Sequence, residues 1–464
     1  MPGRLLELRV ENFRSLRDVR IPLGPLTVLV GPNGVGKSNV LKVFDFLADI
    51  IRTDLQPALD ARGGFDEVAF WGGQKPPTFM RVRLTATWTT NSTLTAPDEY
   101  SLTIRRRSLP ANRDSNRAAY TLSREESFVF RRTQGRGRRI TISGEEARVV
   151  DKRAGKEESP GSSIGIRRLS SGLSTLPRLG PADGGNEVTR LADRLSSFRV
   201  FDVDVSAARL PARLRGAEMA TLAPHAENLA AFLIHLSGLE EIWENLVEDA
   251  RRCLPQLENI EFEEAGGSVD QLLVVLRERG LRRLTPLADA SYGTVRLLGL
   301  LALLYDPHPP ALTCIEEIDH GLHPQALELV VQRLREASER TQFIVATHSP
   351  ALVNRLRPDE FVVCDRDDES ASIIPALTTG EVEGIVEASG DQPLGELGRA
   401  VNARGRGGSR SSGPRDRVIV FAGEDQNDCA IMPDLVRAHR PDLSERRQAG
   451  AHQRSRAAAQ EVRS

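Results

Sequence analysis

One eight-residue segment constrains the fold of this 464-residue chain more than any other. Residues 31–38 read GPNGVGKS, which matches the pattern G-x-x-x-x-G-K-[ST]. The apolar run at residues 23–30 predicts a strand before the segment, and the spacing of Val40 and Phe44 predicts a helix after it. Glycines without Cβ atoms let backbone N–H groups turn towards an anion, and a helix N-terminus adds partial positive charge. The segment therefore predicts a phosphate-binding loop.

The residues of this loop have expected roles in a nucleotide site. Lys37 would reach the β- and γ-phosphates, and the hydroxyl of Ser38 would ligate Mg²⁺. Arg14 lies in a Phe-Arg-Ser turn ahead of the loop, and we expect it near the phosphates as well. The predicted ATP-binding residues are Gly31, Pro32, Asn33, Gly34, Val35, Gly36, Lys37, Ser38, Asn39 and Arg14.

Two later segments end apolar runs with polar side chains that suit the same chemistry. Residues 312–324 read LTCIEEIDHGLHP, where Glu316 would hold Mg²⁺ through water and Glu317 would orient or deprotonate the attacking water. Residues 345–350 read VATHSP, where His348 would sense the γ-phosphate. Paired acids or a single histidine often have structural roles when they stand alone. Their order after a phosphate loop favours Glu317 and His348 as catalytic residues, and Ser38 and Glu316 as metal ligands.

These segments together resemble the RecF-like and SMC-like branch of the ABC ATPases, and more closely the stand-alone AAA-type core domain ATPases related to the OLD family. The resemblance is carried by residues 10–42 and 290–304 and by the Glu-Glu and Thr-His-Ser segments. It implies an α/β P-loop fold that binds ATP and Mg²⁺ and hydrolyses ATP to ADP and phosphate. It also implies that Ser291, Gly293 and Thr294 form a signature motif, which contacts the γ-phosphate of ATP bound to a second subunit. An ATP-dependent homodimer is therefore expected.

The chain departs from the family pattern at two positions. Tyr292 stands where an acidic or polar residue is common, and Ile318 replaces the usual proline after the paired glutamates. These departures bear on turnover rather than on binding. By the same resemblance Asp319 and His323 lie in the D-loop, and Gln74 is the candidate for the Q-loop.

The pattern along the chain predicts an ABC/RecF-type head built from both chain ends, with a β-rich and helical insertion between them. Short alternating runs, such as that at residues 82–88, predict the strands of the insertion. The expected divisions are an ATPase head at 1–375, with its core at 1–75 and 270–375 and its insertion at 76–269, a linker at 376–414, and an incomplete or decayed segment at 415–464.

The C-terminal residues 418–428, VIVFAGEDQND, faintly resemble the first strand and acidic turn of Toprim-type nucleases. Ala422 stands where that family has its glutamate, and no Asp-x-Asp follows. A site of two or three carboxylates cannot be completed from these residues. We therefore interpret the segment as a truncated or decayed accessory domain rather than a working nuclease.

Charge and composition exclude some classes of function. The net charge of −2, from 62 basic and 64 acidic residues, gives no global basicity for nucleic-acid binding. No run of about 18 apolar residues predicts a membrane span, so we expect a cytoplasmic protein without a membrane partner. The arginines of the insertion form either a DNA-binding surface or solvated strand edges. They are Arg105, Arg106, Arg107, Arg131, Arg132, Arg136, Arg138 and Arg139.

Two functional classes remain open at this point. The first is a DNA-associated ATPase in repair or anti-phage defence, with DNA and a nuclease or effector protein as candidate partners. The second is an ATP-gated scaffold that regulates a protein partner without binding nucleic acid. Salt-dependent DNA affinity would favour the first class.

Overall fold

The computed structural model describes residues 3–108, 120–131, 137–152, 162–178, 180, 185–213, 220–265 and 268–389. The strands in chain order are β1 Leu5–Phe13, β2 Leu16–Pro22, β3 Leu26–Val30, β4 Phe79–Ala86, β5 Asp98–Ser108, β6 Tyr120–Arg131, β7 Gly137–Ser143, β8 Glu146–Lys152, β9 Ser162–Gly165, β10 Arg199–Phe201, β11 Ala212–Arg213, β12 Leu257–Ala265, β13 Ser268–Glu278, β14 Thr285–Pro286, β15 Leu312–Glu316, β16 Gln342–Thr347, β17 Phe361–Val363, β18 Asp365–Arg366 and β19 Ser372–Ile373. The helices are α1 Lys37–Thr53, α2 Leu55–Asp60, α3 Phe65–Val68, α4 Gly172–Thr175, α5 Gly185–Ser196, α6 Val205–Ala208, α7 Leu229–Ser237, α8 Glu240–Cys253, α9 Tyr292–Leu304, α10 Pro324–Ala337, α11 Pro350–Val353 and α12 Thr379–Ser389.

A five-stranded parallel sheet carries the predicted phosphate loop. Its strand order is β10-β15-β16-β3-β17. The strands β3 and β16 are buried along their whole length, as expected for parallel strands covered on both faces. Because parallel strands end at the same edge, the residues that follow β3, β10, β15 and β16 meet on one side of the sheet. The predicted site therefore lies at a single edge.

An antiparallel sheet of eight strands covers the other side of the core, in the order β2-β1-β4-β5-β6-β7-β8-β9. Buried side chains alternate with partly exposed ones along β4, as the period of two in the sequence predicted. The pairing of β1 with β4 joins the predicted core to the predicted insertion in one continuous sheet. The β-rich part of the insertion is therefore not a separate lobe.

Helix α1 lies between the two sheets. Its buried residues form a wide, mainly apolar stripe, and one hydrophobic core joins them to Leu8 of β1 and Leu29 of β3. The narrower remaining face is polar and includes the exposed Lys42, as expected for an amphipathic helix. This packing fixes the first turn of α1, and with it the phosphate loop, relative to both sheets.

The predicted divisions of the chain differ from the structure in two places. The strand β10 lies inside the predicted insertion at 76–269, yet it is the edge strand of the core sheet, next to β15. The helix α12 lies at the start of the predicted linker at 376–414. The described residues all belong to one compact unit, Met1–Gly395. The remainder of the linker and the predicted segment at 415–464 lie outside the described residues.

In the described part of the chain, no helix combines the length and the apolar character needed to cross a bilayer.

Candidate functional site

The loop between β3 and α1 forms a concave backbone surface. Gly34 and Gly36 have φ angles of 80° and 105°, which residues with a Cβ atom rarely adopt. A Cβ atom on Gly36 would also lie 2.1 Å from the hydroxyl oxygen of Ser372. Helix α1 begins directly after this turn at Lys37, so its first N–H groups have no partner within the helix. Backbone donors and a helix N-terminus thus converge where a phosphate would bind.

Lys37 folds back over the loop. Its ammonium donates to the carbonyl oxygens of Gly31 and Pro32, at 2.6 Å and 2.9 Å. Burial lowers the pKa of Lys37, while Cys364 and Glu317 nearby act in the opposite direction. The ammonium is therefore desolvated and bound by neutral acceptors. A phosphate would offer it a charged acceptor, which forms stronger hydrogen bonds.

A cavity of about 390 Å³ opens beside the loop and brings the predicted residues together. A volume of this size falls in the range of small-molecule sites. The cavity joins the phosphate loop to the two predicted carboxylates, which lie far away in the sequence. Its lining consists of Asn33, Gly34, Gly36, Lys37, Ser38, Asn39, Asp202, Glu316, Glu317 and Ala346.

The two carboxylates reach the cavity through different backbone conformations. Glu316 ends β15, whereas Glu317 has a φ of 45°, in the left-handed region that is uncommon for a residue with a Cβ atom. The N–H of Glu317 donates to the carbonyl of Ala346 at 3.0 Å, and the N–H of His320 donates to the carbonyl of Glu317 at 2.9 Å. Strained backbone of this kind persists where surrounding contacts fix it. The turn is thus held in place by the strand β16 beside it.

The strand β16 also anchors the loop that follows the carboxylates. The hydroxyl of Thr347 donates to Asp319 at 2.6 Å and accepts from the N–H of Ser349 at 3.0 Å. His348, which lies between Thr347 and Ser349 in the chain, does not line the cavity. Its Nδ1 atom is buried and has no hydrogen-bond partner within the described residues. This nitrogen is available to a ligand or a water.

Asp202 was missed by the sequence analysis, although it lines the cavity. It directly follows β10 at the same sheet edge as Glu316 and Glu317. The sequence signal for Asp202 was weak because β10 has only three residues, too few to show a period.

Gln74, the predicted Q-loop residue, is exposed and does not line this cavity.

Arg14 lies next to the loop but not in the lining of the cavity. It has a φ of 49°, and its guanidinium carbon is 5.4 Å from the centre of the Trp71 ring. The adjoining Ser15 accepts a hydrogen bond from the side chain of Asn39, in the first turn of α1, at 2.8 Å. Burial, followed by the charge of Arg62, lowers the pKa of Arg14. Its Nε atom is buried and finds no partner among the residues that the structure describes.

The predicted signature residues form the N-terminal turn of α9. The hydroxyl of Ser291 accepts from the N–H of Thr294 at 3.1 Å and thereby caps the helix. A Cβ atom on Gly293 would lie 2.5 Å from the carbonyl oxygen of Gly321, so only glycine allows this close approach. Ser291 is exposed, and none of the three signature residues lines the cavity. The ring of Tyr292 packs beside that of His320, with centres 5.4 Å apart.

Most of the described arginines of the insertion are paired with carboxylates. Arg107 and Arg139 are exposed, and Arg132 and Arg136 lie outside the described residues. Local neutralisation of this kind weakens a single-sign field for DNA and favours the interpretation as solvated strand charges. The ion pairs are Arg105 with Glu125, Arg106 with Asp66, Arg131 with Glu99, and Arg138 with Asp151.

Known proteins share parts of this sequence. The OLD nuclease of Thermus scotoductus is 47% identical over 55 residues, which are 12% of this chain and 10% of that protein. The DNA replication and repair protein RecF of Myxococcus xanthus is 40% identical over 72 residues, which are 15% of this chain and 17% of that protein. The chain therefore matches only a small part of the length of these relatives. A solved Smc head bound to the C-terminal winged-helix domain of ScpA covers 82% of this chain and 99% of its own, with a TM-score of 0.48 and 16% identity.

The family assignment follows from a longer match. A family profile described as "AAA domain, putative AbiEii toxin, Type IV TA system" matches residues 26–354, which is more than two thirds of the chain. The predictions of an α/β P-loop fold and of a RecF- and SMC-like ATPase related to OLD proteins are confirmed. The chain belongs to this AAA domain family.

Proposed function

We propose that this chain binds and hydrolyses MgATP in the cavity beside the phosphate loop, and that it pairs with a second copy of itself when ATP is bound. The observation that carries the proposal is the lining of one cavity by Lys37, Ser38, Glu316 and Glu317. Each of these side chains has a role in phosphoryl transfer to water, and their combination at one sheet edge is specific to that chemistry.

Binding would begin with an exchange of partners at Lys37. The ammonium would leave the carbonyls of Gly31 and Pro32 for the β- and γ-phosphates, which form charge-assisted hydrogen bonds. The hydroxyl of Ser38 and the carboxylate of Glu316 are hard oxygen donors, which suit Mg²⁺. When bound there, Mg²⁺ would neutralise charge on the phosphate oxygens.

Hydrolysis would then depend on Glu317. Its carboxylate would orient the attacking water and accept its proton, while the left-handed turn keeps the side chain at the cavity. His348 would contact the γ-phosphate with a ring nitrogen. The hydrogen bond from Thr347 to Asp319 would keep the end of β16 aligned with the loop that follows Glu317. The products would be ADP and phosphate.

A second copy would complete the site. Ser291, Gly293 and Thr294 do not line the cavity of their own chain, and Ser291 is exposed at the N-terminus of a 13-residue helix. A helix N-terminus favours negative charge, so this turn would bind the γ-phosphate on the partner's open side. The resulting homodimer would enclose two ATP molecules.

The names of two relatives support DNA as the context of this ATPase. One is an OLD nuclease, and the other is a protein of DNA replication and repair. We therefore favour a cytoplasmic role in DNA repair or anti-phage defence, in which DNA and a nuclease or effector protein are partners. A second candidate is an ATP-gated scaffold for a protein partner, and the ion pairs of Arg105 and Arg131 favour it because they neutralise the sheet surface.

The test measures ATP hydrolysis and DNA affinity on the same preparation, for the native protein and for Lys37→Ala. We expect hydrolysis that depends on Lys37. In the DNA-associated role, ATP-dependent affinity for duplex DNA would fall steeply as salt is raised. In the scaffold role, hydrolysis would proceed with no salt-dependent DNA affinity. Equal hydrolysis by the two proteins would contradict the ATPase itself.

A further inference from the structure

Arg296, on the second turn of α9, is a buried charge beside the cavity. Only 2% of the surface of Arg296 is exposed. One end of its guanidinium, Nη1, donates to the carboxylate of Asp202 at 3.3 Å. The other end, Nη2, donates to the carbonyl oxygen of Glu316 at 3.2 Å and to that of Glu317 at 2.7 Å. One side chain thus contacts three residues that line the nucleotide cavity.

The surroundings of Arg296 make its charge costly. The residues of α9 from Val295 to Leu304 are all buried, and apart from Arg296 itself they are apolar or glycine. A buried cation is unfavourable unless paired, and an apolar residue of the same volume often stabilises such a position. Its single ion-pair partner in the described residues, Asp202, has a side chain that is 51% exposed. Stability of the helix alone therefore does not explain the arginine.

The contact with Glu317 offers a different explanation. The φ of 45° at Glu317 is strained, and the hydrogen bond from Arg296 is one of the contacts that hold its peptide groups. Without this bond, the carbonyl of Glu317 would retain the N–H of His320 as its donor. The N–H of Glu317 would also keep its bond to the carbonyl of Ala346, so the turn would be held by fewer contacts and less firmly in its left-handed conformation. A shift of about 1 Å at a reacting group lowers a rate by about 100-fold.

We propose that Arg296 is a positioning residue, which ties the backbone of Glu317 and the side chain of Asp202 to helix α9. The same helix begins at the signature turn, one turn before Arg296. If α9 moved as a rigid helix on contact with a second copy, Arg296 would therefore transmit that movement to the turn at Glu317. The inference rests on the proposed function and adds the residue that couples the two halves of the site.

Two variants and a matched control test this role. Arg296→Met nearly keeps the volume of the side chain and removes its hydrogen-bond donors. Arg296→Lys keeps the charge but loses the planar guanidinium, whose two ends donate in different directions. Arg335→Met is the control, because Arg335 makes a comparable ion pair with Glu360 at 2.6 Å, and neither residue lines the cavity. For each variant we would measure the Kd for ATP, the kcat for hydrolysis, and hydrogen–deuterium exchange in a peptide covering residues 312–323.

We expect Arg296→Met to keep its ATP affinity within about threefold and to lose about 100-fold in kcat, as displacement of a catalytic group predicts. Exchange in residues 312–323 should be faster than in the native protein, even without nucleotide, because a fixed turn is released. Arg296→Lys should be intermediate in both readouts. Arg335→Met should retain the native kcat and the native exchange in this peptide.

Other outcomes would overturn the inference. A kcat for Arg296→Met within about threefold of the native value, or a parallel loss of affinity and kcat, would reduce Arg296 to a structural residue. Hydrogen–deuterium exchange of Arg296→Met at the native rate in residues 312–323 would lead to the same conclusion. If the native protein shows no hydrolysis that depends on Lys37, the proposed function fails, and exchange alone decides the positioning role. If Arg296→Met does not fold, Arg296→Lys is judged by these criteria.

Discussion

Replacement of Lys37 by alanine tests the nucleotide site at its most specific side chain. The ammonium is buried and makes two hydrogen bonds to loop carbonyls, so it would enter the phosphate site already desolvated. A hydrogen bond to a charged group contributes about 1.5–3 kcal/mol. Taking about 3 kcal/mol for the loss at the phosphates, ATP affinity should fall by about 150-fold.

The effect is measured as stabilisation by the ligand. MgATP at about 100 times its Kd stabilises a folded protein by about 2.7 kcal/mol. At the same concentration, a Kd weakened about 150-fold leaves only about 0.3 kcal/mol. Urea unfolding with and without MgATP resolves this difference. Burial lowers the pKa of Lys37 below that of an exposed lysine. Neutral pH lies below the pKa of an exposed lysine, so at this pH the charge on Lys37 disfavours the folded state relative to the unfolded chain. The variant is therefore expected to stay folded without nucleotide.

Lys42→Ala is the matched control. Lys42 lies on the same helix, is exposed, and does not line the nucleotide cavity. This variant should keep the full stabilisation by MgATP. If Lys37→Ala kept it too, the loop would bind no phosphate through Lys37, and the assignment of the site would be refuted.

Two further predictions concern single carboxylates. Glu317→Gln is expected to bind MgATP but to hydrolyse it about 10²–10⁴ times more slowly, and to accumulate as an ATP-bound dimer in size-exclusion chromatography; hydrolysis at the native rate would place the general base elsewhere. Burial raises the pKa of Glu126, which accepts hydrogen bonds from Tyr100 and Ser171. Its contribution to stability is therefore complete below the pKa of an ordinary glutamate and is lost as the pH rises through the raised pKa. Relative to Glu126→Gln, the native protein should lose stability as the pH rises above the range in which an ordinary glutamate ionises, about pH 4, and a constant difference in urea midpoints would contradict this.

The phosphate loop and the two carboxylates were predictable because their signals are local. A buried strand gives a mainly apolar run: β3 leads directly into the glycine-rich loop, whereas β15 and β16 end in the polar residues Glu316 and Thr347. Carboxyl ends of parallel strands share an edge, so the order strand, loop and helix was enough to bring Lys37 and Glu317 together.

Asp202 and Arg296 could not be predicted, because their positions depend on contacts distant in sequence. The two residues are 94 positions apart and meet across the edge of the core sheet. Arg296 follows the apolar pattern of a buried helix and carries no sign of its partners. For the same reason the alternation in β4 predicted which side chains are buried but not that the strand pairs with β1. Periodicity defines a face, whereas long-range packing selects the neighbour.

Mixing two inactive variants tests whether a second copy completes the site. Lys37→Ala removes the phosphate contact. Ser291→Asp keeps the cap of α9, since aspartate accepts from the N–H of Thr294 as serine does, but it places a carboxylate against the partner's γ-phosphate. In a two-fold dimer each site combines the loop of one copy with the turn of the other. A mixed dimer therefore contains one site with both changes and one site with neither.

Recovery of activity in the mixture has a defined size. With random pairing, about half of the dimers are mixed and each has one intact site of two, so about a quarter of the native rate should return. Lys37→Ala mixed with Glu317→Gln is the control, because both changes lie in the half-site that one chain supplies, and every site in that mixture stays defective. If mixed dimers of Lys37→Ala and Ser291→Asp form and remain as inactive as this control, the signature turn does not act across the dimer. Ser291 would then serve only as the cap of its own helix.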